Sequence, residues 1–220
     1  MTGKIRVLIC DDHELFRDGI KALLGAESGI EVVAEARNGR EAVEAALRLR
    51  PDAVLMDMEM PELNGLEATR RIREADGAIH VLILTMYAEE DLVARCMQAG
   101  ATGYVLKDVP VSQLVYAIQA VSRGGRYMSP EALKGMVDHY VEGAPRAESR
   151  YDLLTARERE ILRLLAEGLS AKQVAAHLDL AVKTVDVHKT NLMRKLDVHD
   201  RAELIKWAIS HKVIRLPVFP

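Results

Sequence analysis

The chain has 220 residues, of which 49% are hydrophobic and 29% charged, with a net charge of −3. That composition excludes wholesale disorder, and no run approaches the ~18 uninterrupted apolar residues of a membrane span, so no membrane partner is expected. The charge is unevenly divided, with 14 basic and 20 acidic side chains in residues 1–125, four of each in 126–150, and twelve against nine in 151–220; two domains with different partners are implied.

The first apolar run, Ile5–Cys10, is short and leads into Asp11-Asp12 rather than a cleavage site, so no secretory leader is expected and a cytoplasmic location is. Further runs follow at Ile30–Ala34, Ala53–Met56, His80–Leu84 and Tyr104–Leu106, each bounded by turn or charged residues. Between them lie helical spacings. Phe16, Ile20, Leu23 and Leu24 share one face, Ala42, Val43, Ala46 and Leu49 another, and Val111, Leu114, Val115 and Ile118 a third. Strand and helix alternate five times, which predicts an α/β domain over residues 1–124. Its form is a doubly wound, five-stranded parallel sheet with helices on both faces. Near-continuous apolar strands fit burial on both sides. Aromatics are only 4%, so the core is built from Leu, Val, Ile, Ala and Met.

Gly124-Gly125 closes the fifth helix, and residues 125–150 read as a linker with a short helix starting at Ser129-Pro130-Glu131. Glu142 to Ser149 has linker composition. From Leu154 onward the pattern is helical only. Thr155-x-x-Glu158 and Ser170-x-x-Gln173 match capping boxes, Asp200-x-x-Glu203 is a variant of the form, and Gly168 stands at a helix end. Four helices are predicted, at 156–167, 171–178, 182–196 and 201–210, giving a small all-α domain over 151–220.

In an open parallel sheet, ligands collect beyond the C-terminal ends of the strands. The first strand ends in Asp11-Asp12, the third in Asp57, the fourth in Thr85 and the fifth in Lys107. A single Asp after a strand is usually a loop or cap residue, and a single Lys is usually solvated. Together they form a chemical set. Three carboxylates at one edge repel one another, and Mg²⁺ relieves that repulsion while suiting phosphate chemistry. A carboxylate there can attack a phosphoryl group, with Thr85 and Lys107 holding the phosphate oxygens.

Ile9-Cys10-Asp11-Asp12, the run from Val54 to Gly65 (Val-Leu-Met-Asp-Met-Glu-Met-Pro-Glu-Leu-Asn-Gly), Leu84-Thr85 and the run from Gly103 to Asp108 resemble bacterial response-regulator receiver domains in order and spacing. The resemblance covers residues 4–123 and implies a CheY-like, flavodoxin-like fold. It implies that Asp57 accepts a phosphoryl group from the phosphohistidine of a sensor histidine kinase. It further implies that Asp12 binds Mg²⁺ directly, that Asp11 binds it through water, and that Asp57 and the backbone carbonyl of Glu59 complete the set. Thr85 and Tyr104 would be the switch pair, and Lys107 would pair with the phosphate. Met86 departs from the small residue that usually follows the switch Thr. Glu59 and Tyr87 occupy positions that tune dephosphorylation in the family.

Three C-terminal segments, Leu154–Leu162, Gly168–Ala175 and Lys183–Leu196, resemble a LuxR-type helix-turn-helix. Joined to the receiver, they place the chain with NarL/FixJ-type response regulators. Helical spacing puts Val185, Leu192 and Leu196 of the third helix on one face, against Ile161, Leu165, Val174 and Leu178. Opposite lie Lys183, Asp186, Val187, Thr190, Asn191 and Arg194, a mixture suited to a major groove, with Val187 placed for a thymine methyl. Lys172, Lys183, Thr184 and Lys195 are candidates for phosphate contacts. His188 suits packing and a DNA contact equally, and Lys189 lies toward the core side. Relatives often carry Lys where Asp186 stands, so a different operator is expected.

The resemblance implies a two-component response regulator that binds a double-stranded operator, as a homodimer when phosphorylated, with no enzymatic activity beyond Mg²⁺-dependent self-phosphorylation and dephosphorylation. Two alternatives fit parts of the same pattern. A haloacid dehalogenase-type phosphohydrolase wants Asp where Glu59 stands. A phosphorylation-independent DNA binder would keep the acidic pocket as a relic. Cys10 and Cys96 lack metal-ligand spacing and read as buried thiols. Trp207 reads as core or dimer packing, and His13 as a helix-start surface residue.

Overall fold

The computed structural model describes residues 3–134, 150–151, 153–211 and 213–214. The chain forms two compact units, residues 1–144 and 145–220.

The first unit is a parallel sheet in the order β2-β1-β3-β4-β5-β6. Its strands are β1 (Ile5–Cys10), β2 (Ile30–Ala36), β3 (Ala53–Asp57), β4 (His80–Thr85), β5 (Gly103–Leu106) and β6 (Tyr127–Met128). The helices are α1 (Glu14–Gly25), α2 (Gly39–Leu49), α3 (Gly65–Ala75), α4 (Glu90–Gln98) and α5 (Val111–Ser122). Every residue of β3 and β5 is buried, as befits strands covered on both faces. Alternation divides the strand side chains between two layers. Val7, Ile9, Leu55, Leu82, Leu84 and Val105 join Ile20 and Leu24 of α1 and Leu114, Ala117, Ile118 and Val121 of α5 in one core cluster. Leu8, Val54, Met56, Val81 and Ile83 are equally buried.

The sheet has six strands where the apolar runs predicted five. Tyr127 and Met128 pair with Gly103 and Tyr104, inside the segment read as linker. Two residues are too few to show a period of two, so the strand left no periodic signal. Gly103 admits this neighbour closely, since a Cβ there would meet the Tyr127 carbonyl oxygen. Ser129 is wholly buried, and helical residues run from Pro130 to the end of the described segment at 134. Glu142–Ser149 lies outside the described residues.

The second unit contains α6 (Ala156–Ala166), α7 (Ala171–His177), α8 (Val182–Leu196) and α9 (Arg201–Ser210). Thr155 with Glu158 and Ser170 with Gln173 form full capping boxes. Asp200 accepts from the Glu203 N–H, but Glu203 reaches back to the His199 N–H instead of completing a box. Gly168 takes φ +105° after α6, and Asp179, at φ 51°, turns the chain between α7 and α8. Val185, Leu192 and Leu196 of α8 are buried with Ile161, Leu165 and Val174, while Leu178 is half-buried. Trp207 stacks on Tyr151 and His211, with ring centroids 6.2 Å and 3.9 Å away.

Candidate functional site

The strand order reverses direction at β1 and β3, and their C-terminal ends carry Asp11-Asp12 and Asp57. Asp11, Asp57 and Thr85 are at most 3% exposed. Lys107 follows β5 and reaches across, its Nζ 2.6 Å from Asp11 Oδ2 and 3.0 Å from Asp57 Oδ1. Burial opposes the Lys107 charge, but the Asp57 carboxylate and the Asp11 hydrogen bond outweigh it and hold its pKa above the ordinary lysine value. Phe16 supports the same ammonium, with its ring centroid 4.6 Å from Nζ. Of the predicted strand-end groups, Asp11, Asp57 and Lys107 therefore meet at one place.

One ligand atom each from Asp11, Asp12, His13 and Asp57 lie within 4.8 Å of one another. His13 caps α1 through its backbone position, and its Nδ1 lies 3.3 Å from Asp11 Oδ1 and 3.1 Å from Asp12 Oδ1. Three carboxylates and one ammonium leave a net negative pocket of hard oxygen donors, which fits a divalent cation such as Mg²⁺. Glu59, two residues past Asp57, is half-buried.

Thr85 Oγ1 accepts from the Tyr87 N–H at 3.4 Å, and the Tyr104 hydroxyl donates to the Tyr87 carbonyl at 2.7 Å. The two switch candidates are thus joined through one residue. Tyr104 is wholly buried, and burial pushes its pKa upward, so it remains a donor. Met86 stands 66% exposed beside them. Cys96, its pKa pushed up to about 12 by burial, and Cys10, likewise raised, are free, buried and unreactive thiols.

The backbone that carries Asp57 depends on Gly65. The Gly65 N–H donates to the Met58 carbonyl at 2.9 Å, and a Cβ at this position would overlap the Asp57 carbonyl oxygen. The motif contained this glycine, but its close approach to the acceptor strand was not legible. Arg17 and Glu35 were missed altogether. Arg17 is 6% exposed, donates through Nη1 to the Asp11 carbonyl at 2.8 Å, and pairs through Nε with Glu35 at 3.0 Å. A charged residue breaking an apolar helix face was the available signal.

On α8, Lys183, Thr184, Asp186, Val187, Thr190 and Arg194 are exposed, whereas His188, Lys189, Asn191 and Lys195 are half-buried. The Thr190 hydroxyl donates to the Asp186 carbonyl at 2.9 Å, and Arg194 Nη2 donates to Asn191 Oδ1 at 3.2 Å. Lys172, on α7, is exposed. Lys195 is placed differently: its ammonium lies 2.6 Å from Glu158 Oε2, and that carboxylate is 4% exposed. Its charge is engaged within the unit.

Residues 7–119 match the family model of the response regulator receiver domain, and residues 152–208 match that of the bacterial regulatory proteins of the luxR family. The response regulator protein VraR of Staphylococcus aureus is 39% identical over 211 residues, spanning 96% of this chain and 99% of the relative. Among solved structures, the response regulator ChrA of a heme-sensing two-component system is 37% identical, with a TM-score of 0.54 over 97% of this chain and all of the other. A LuxR-family two-component response regulator from Aurantimonas sp. SI85-9A1 is 38% identical, with a TM-score of 0.61 over 63% of this chain and 99% of that one. The acidic pocket at the switch point of a parallel sheet defines a receiver, here followed by a helix-turn-helix. The chain belongs to the LuxR/NarL family of two-component response regulators. It is a two-component transcription regulator that acts on DNA. No described helix is long and apolar enough to cross a membrane.

Proposed function

We propose that Asp57 is the phosphoacceptor and that its modification controls operator binding by α8. The observation that carries this reading is the convergence of Asp57, Asp11 and Lys107 within 3.0 Å ion-pair distances at the end of β3. An Asp57 carboxylate oxygen attacks the phosphorus of a kinase phosphohistidine. The P–N bond breaks as the P–O bond forms, and the imidazole leaves with a proton from solvent. Asp11, Asp12 and Asp57, with the Glu59 carbonyl, would hold Mg²⁺, which when bound neutralises charge on the transferring phosphoryl group. Lys107, already at Asp57 Oδ1, stabilises the phosphate oxygens.

Thr85 then moves toward the new phosphate. Its Oγ1 accepts a long 3.4 Å hydrogen bond from the Tyr87 N–H, a contact that is inexpensive to exchange. Tyr87 also holds the Tyr104 hydroxyl, which couples Thr85 to β5. Added charge at a bistable site is the local event, and repacking of Tyr104 is its relay.

On DNA, Lys172, Lys183 and Thr184 serve phosphates, while Asp186, Val187, Thr190, Asn191 and Arg194 face base edges, with His188 beside them. Asp186 accepts from a cytosine amine and repels nearby phosphates. The unit's modest positive balance favours a homodimer on two half-sites. Asp57→Asn is expected to abolish labelling by acetyl phosphate, read by mass spectrometry. Persistent label on another residue would contradict the assignment.

A further inference from the structure

We propose that Arg17 is a positioning residue for the acidic pocket: braced by Glu35, its guanidinium fixes the Asp11 peptide so that the Asp11 and Asp12 carboxylates are preset for a divalent cation. The inference rests on the metal-site reading above and adds to it a residue outside the ligand set.

A guanidinium at 6% exposure is unfavourable unless its donors are engaged. Arg17 meets that demand with two acceptors on different strands. Nη1 donates to the Asp11 carbonyl at the end of β1, and Nε donates to Glu35 near the end of β2. Glu35 is gripped a second time by Lys21, one turn further along α1, and its pKa is held below the ordinary carboxylate value by the Lys21 hydrogen bond, against the opposing effect of burial. The result is a brace of α1, β1 and β2 around the β1–α1 corner. Within that corner the His13 N–H donates to Asp11 Oδ1 at 2.8 Å, so the carboxylate and the carbonyl of Asp11 are both held.

The peptide that Arg17 grips joins Asp11 to Asp12. Rotation of its plane moves the two carboxylates relative to each other and to Asp57. Mg²⁺ demands near-octahedral geometry, so such a rotation weakens binding more than it weakens the fold. Stability of α1 has another source, since Ile20 and Leu24 are embedded in the core cluster. The planar fork of arginine reaches both acceptors at fixed angles, and the single ammonium of lysine does not.

The test uses the full chain and Mn²⁺ as the probe, with binding followed by the electron paramagnetic resonance of the free ion. Arg17→Met is expected to weaken Mn²⁺ binding about tenfold, Arg17→Lys to recover only a minor part, and Glu35→Ala to weaken it about threefold. In acetyl phosphate labelling, the Mg²⁺ concentration for half-maximal rate should rise by the same factors while the rate at saturating Mg²⁺ stays within about twofold of wild type. Wild-type Mn²⁺ affinity in Arg17→Met overturns the proposal, as does a lysine variant that matches wild type. A lowered melting temperature with unchanged Mn²⁺ affinity assigns Arg17 a purely structural role and also overturns it. If Arg17→Met does not fold, unchanged affinity in Glu35→Ala is decisive against the brace. Wild-type protein that binds no Mn²⁺ overturns the metal-site reading and the brace together, whereas tight wild-type binding with indifferent variants overturns the brace alone.

Discussion

In the receiver, Asp11, Asp57 and Thr85 are almost wholly buried, and Lys107 bridges the two carboxylates; on α8, Lys183, Asp186, Thr190 and Arg194 are exposed. The first arrangement concentrates charge where little solvent screens it, so each group sets the state of its neighbours. The second keeps charge in water, where it can meet a polyanion and be screened by salt. A phosphoryl group added to the pocket changes a tightly coupled set. A substitution on the outer face of α8 changes one contact at a time.

This contrast is sharpest in three substitutions of the DNA-binding unit. Leu192 is fully buried on the inner face of α8, and Leu192→Ala is expected to destabilise that unit by about 2–5 kcal/mol. Trp207, the one tryptophan, lies in the same unit, so urea unfolding followed by its fluorescence measures the loss directly. Lys195→Met removes the partner of buried Glu158 and should lower stability by about 1–2 kcal/mol, discounted because Lys195 is part-exposed, while leaving the salt dependence of DNA binding intact. Lys183→Met should do the reverse. It leaves unfolding unchanged and reduces the slope of log affinity against log salt by about 1. Equal slopes for the two lysine variants would erase the distinction between inward and outward charge on α8.

The smallest effect belongs to His80, at the start of β4. Burial, followed by nearby Arg73, lowers its pKa below the ordinary value, with Asp52 opposing. A depressed histidine favours the neutral form when folded, so its contribution is full above about pH 6.5 and is lost as pH falls through the folded pKa. The melting temperature of wild type should therefore fall more between pH 7.5 and pH 5.5 than that of His80→Gln.

The strands and helix faces were legible because burial on both sides of a parallel sheet leaves apolar runs, and the pocket was legible because its groups terminate those runs. Asp11, Asp57, Thr85 and Lys107 needed only the rule that strand ends converge. The brace was not legible. Arg17 and Glu35 are 18 positions apart and meet only because β2 lies beside β1. The Lys195–Glu158 pair escaped for the same reason, since 37 residues separate a capping carboxylate from the lysine that engages it. Period and propensity describe one element; these contacts depend on how elements pack.

In the proposed mechanism the buried pocket governs the exposed helix. Its most direct test is the affinity of the full chain for duplexes selected with phosphorylated protein, measured with and without acetyl phosphate and Mg²⁺. Phosphorylation is expected to tighten binding at least about fivefold in wild type and to leave Asp57→Asn unaffected. Equal affinity of the two wild-type forms would contradict the claim and leave a DNA-binding protein whose acidic pocket is a relic.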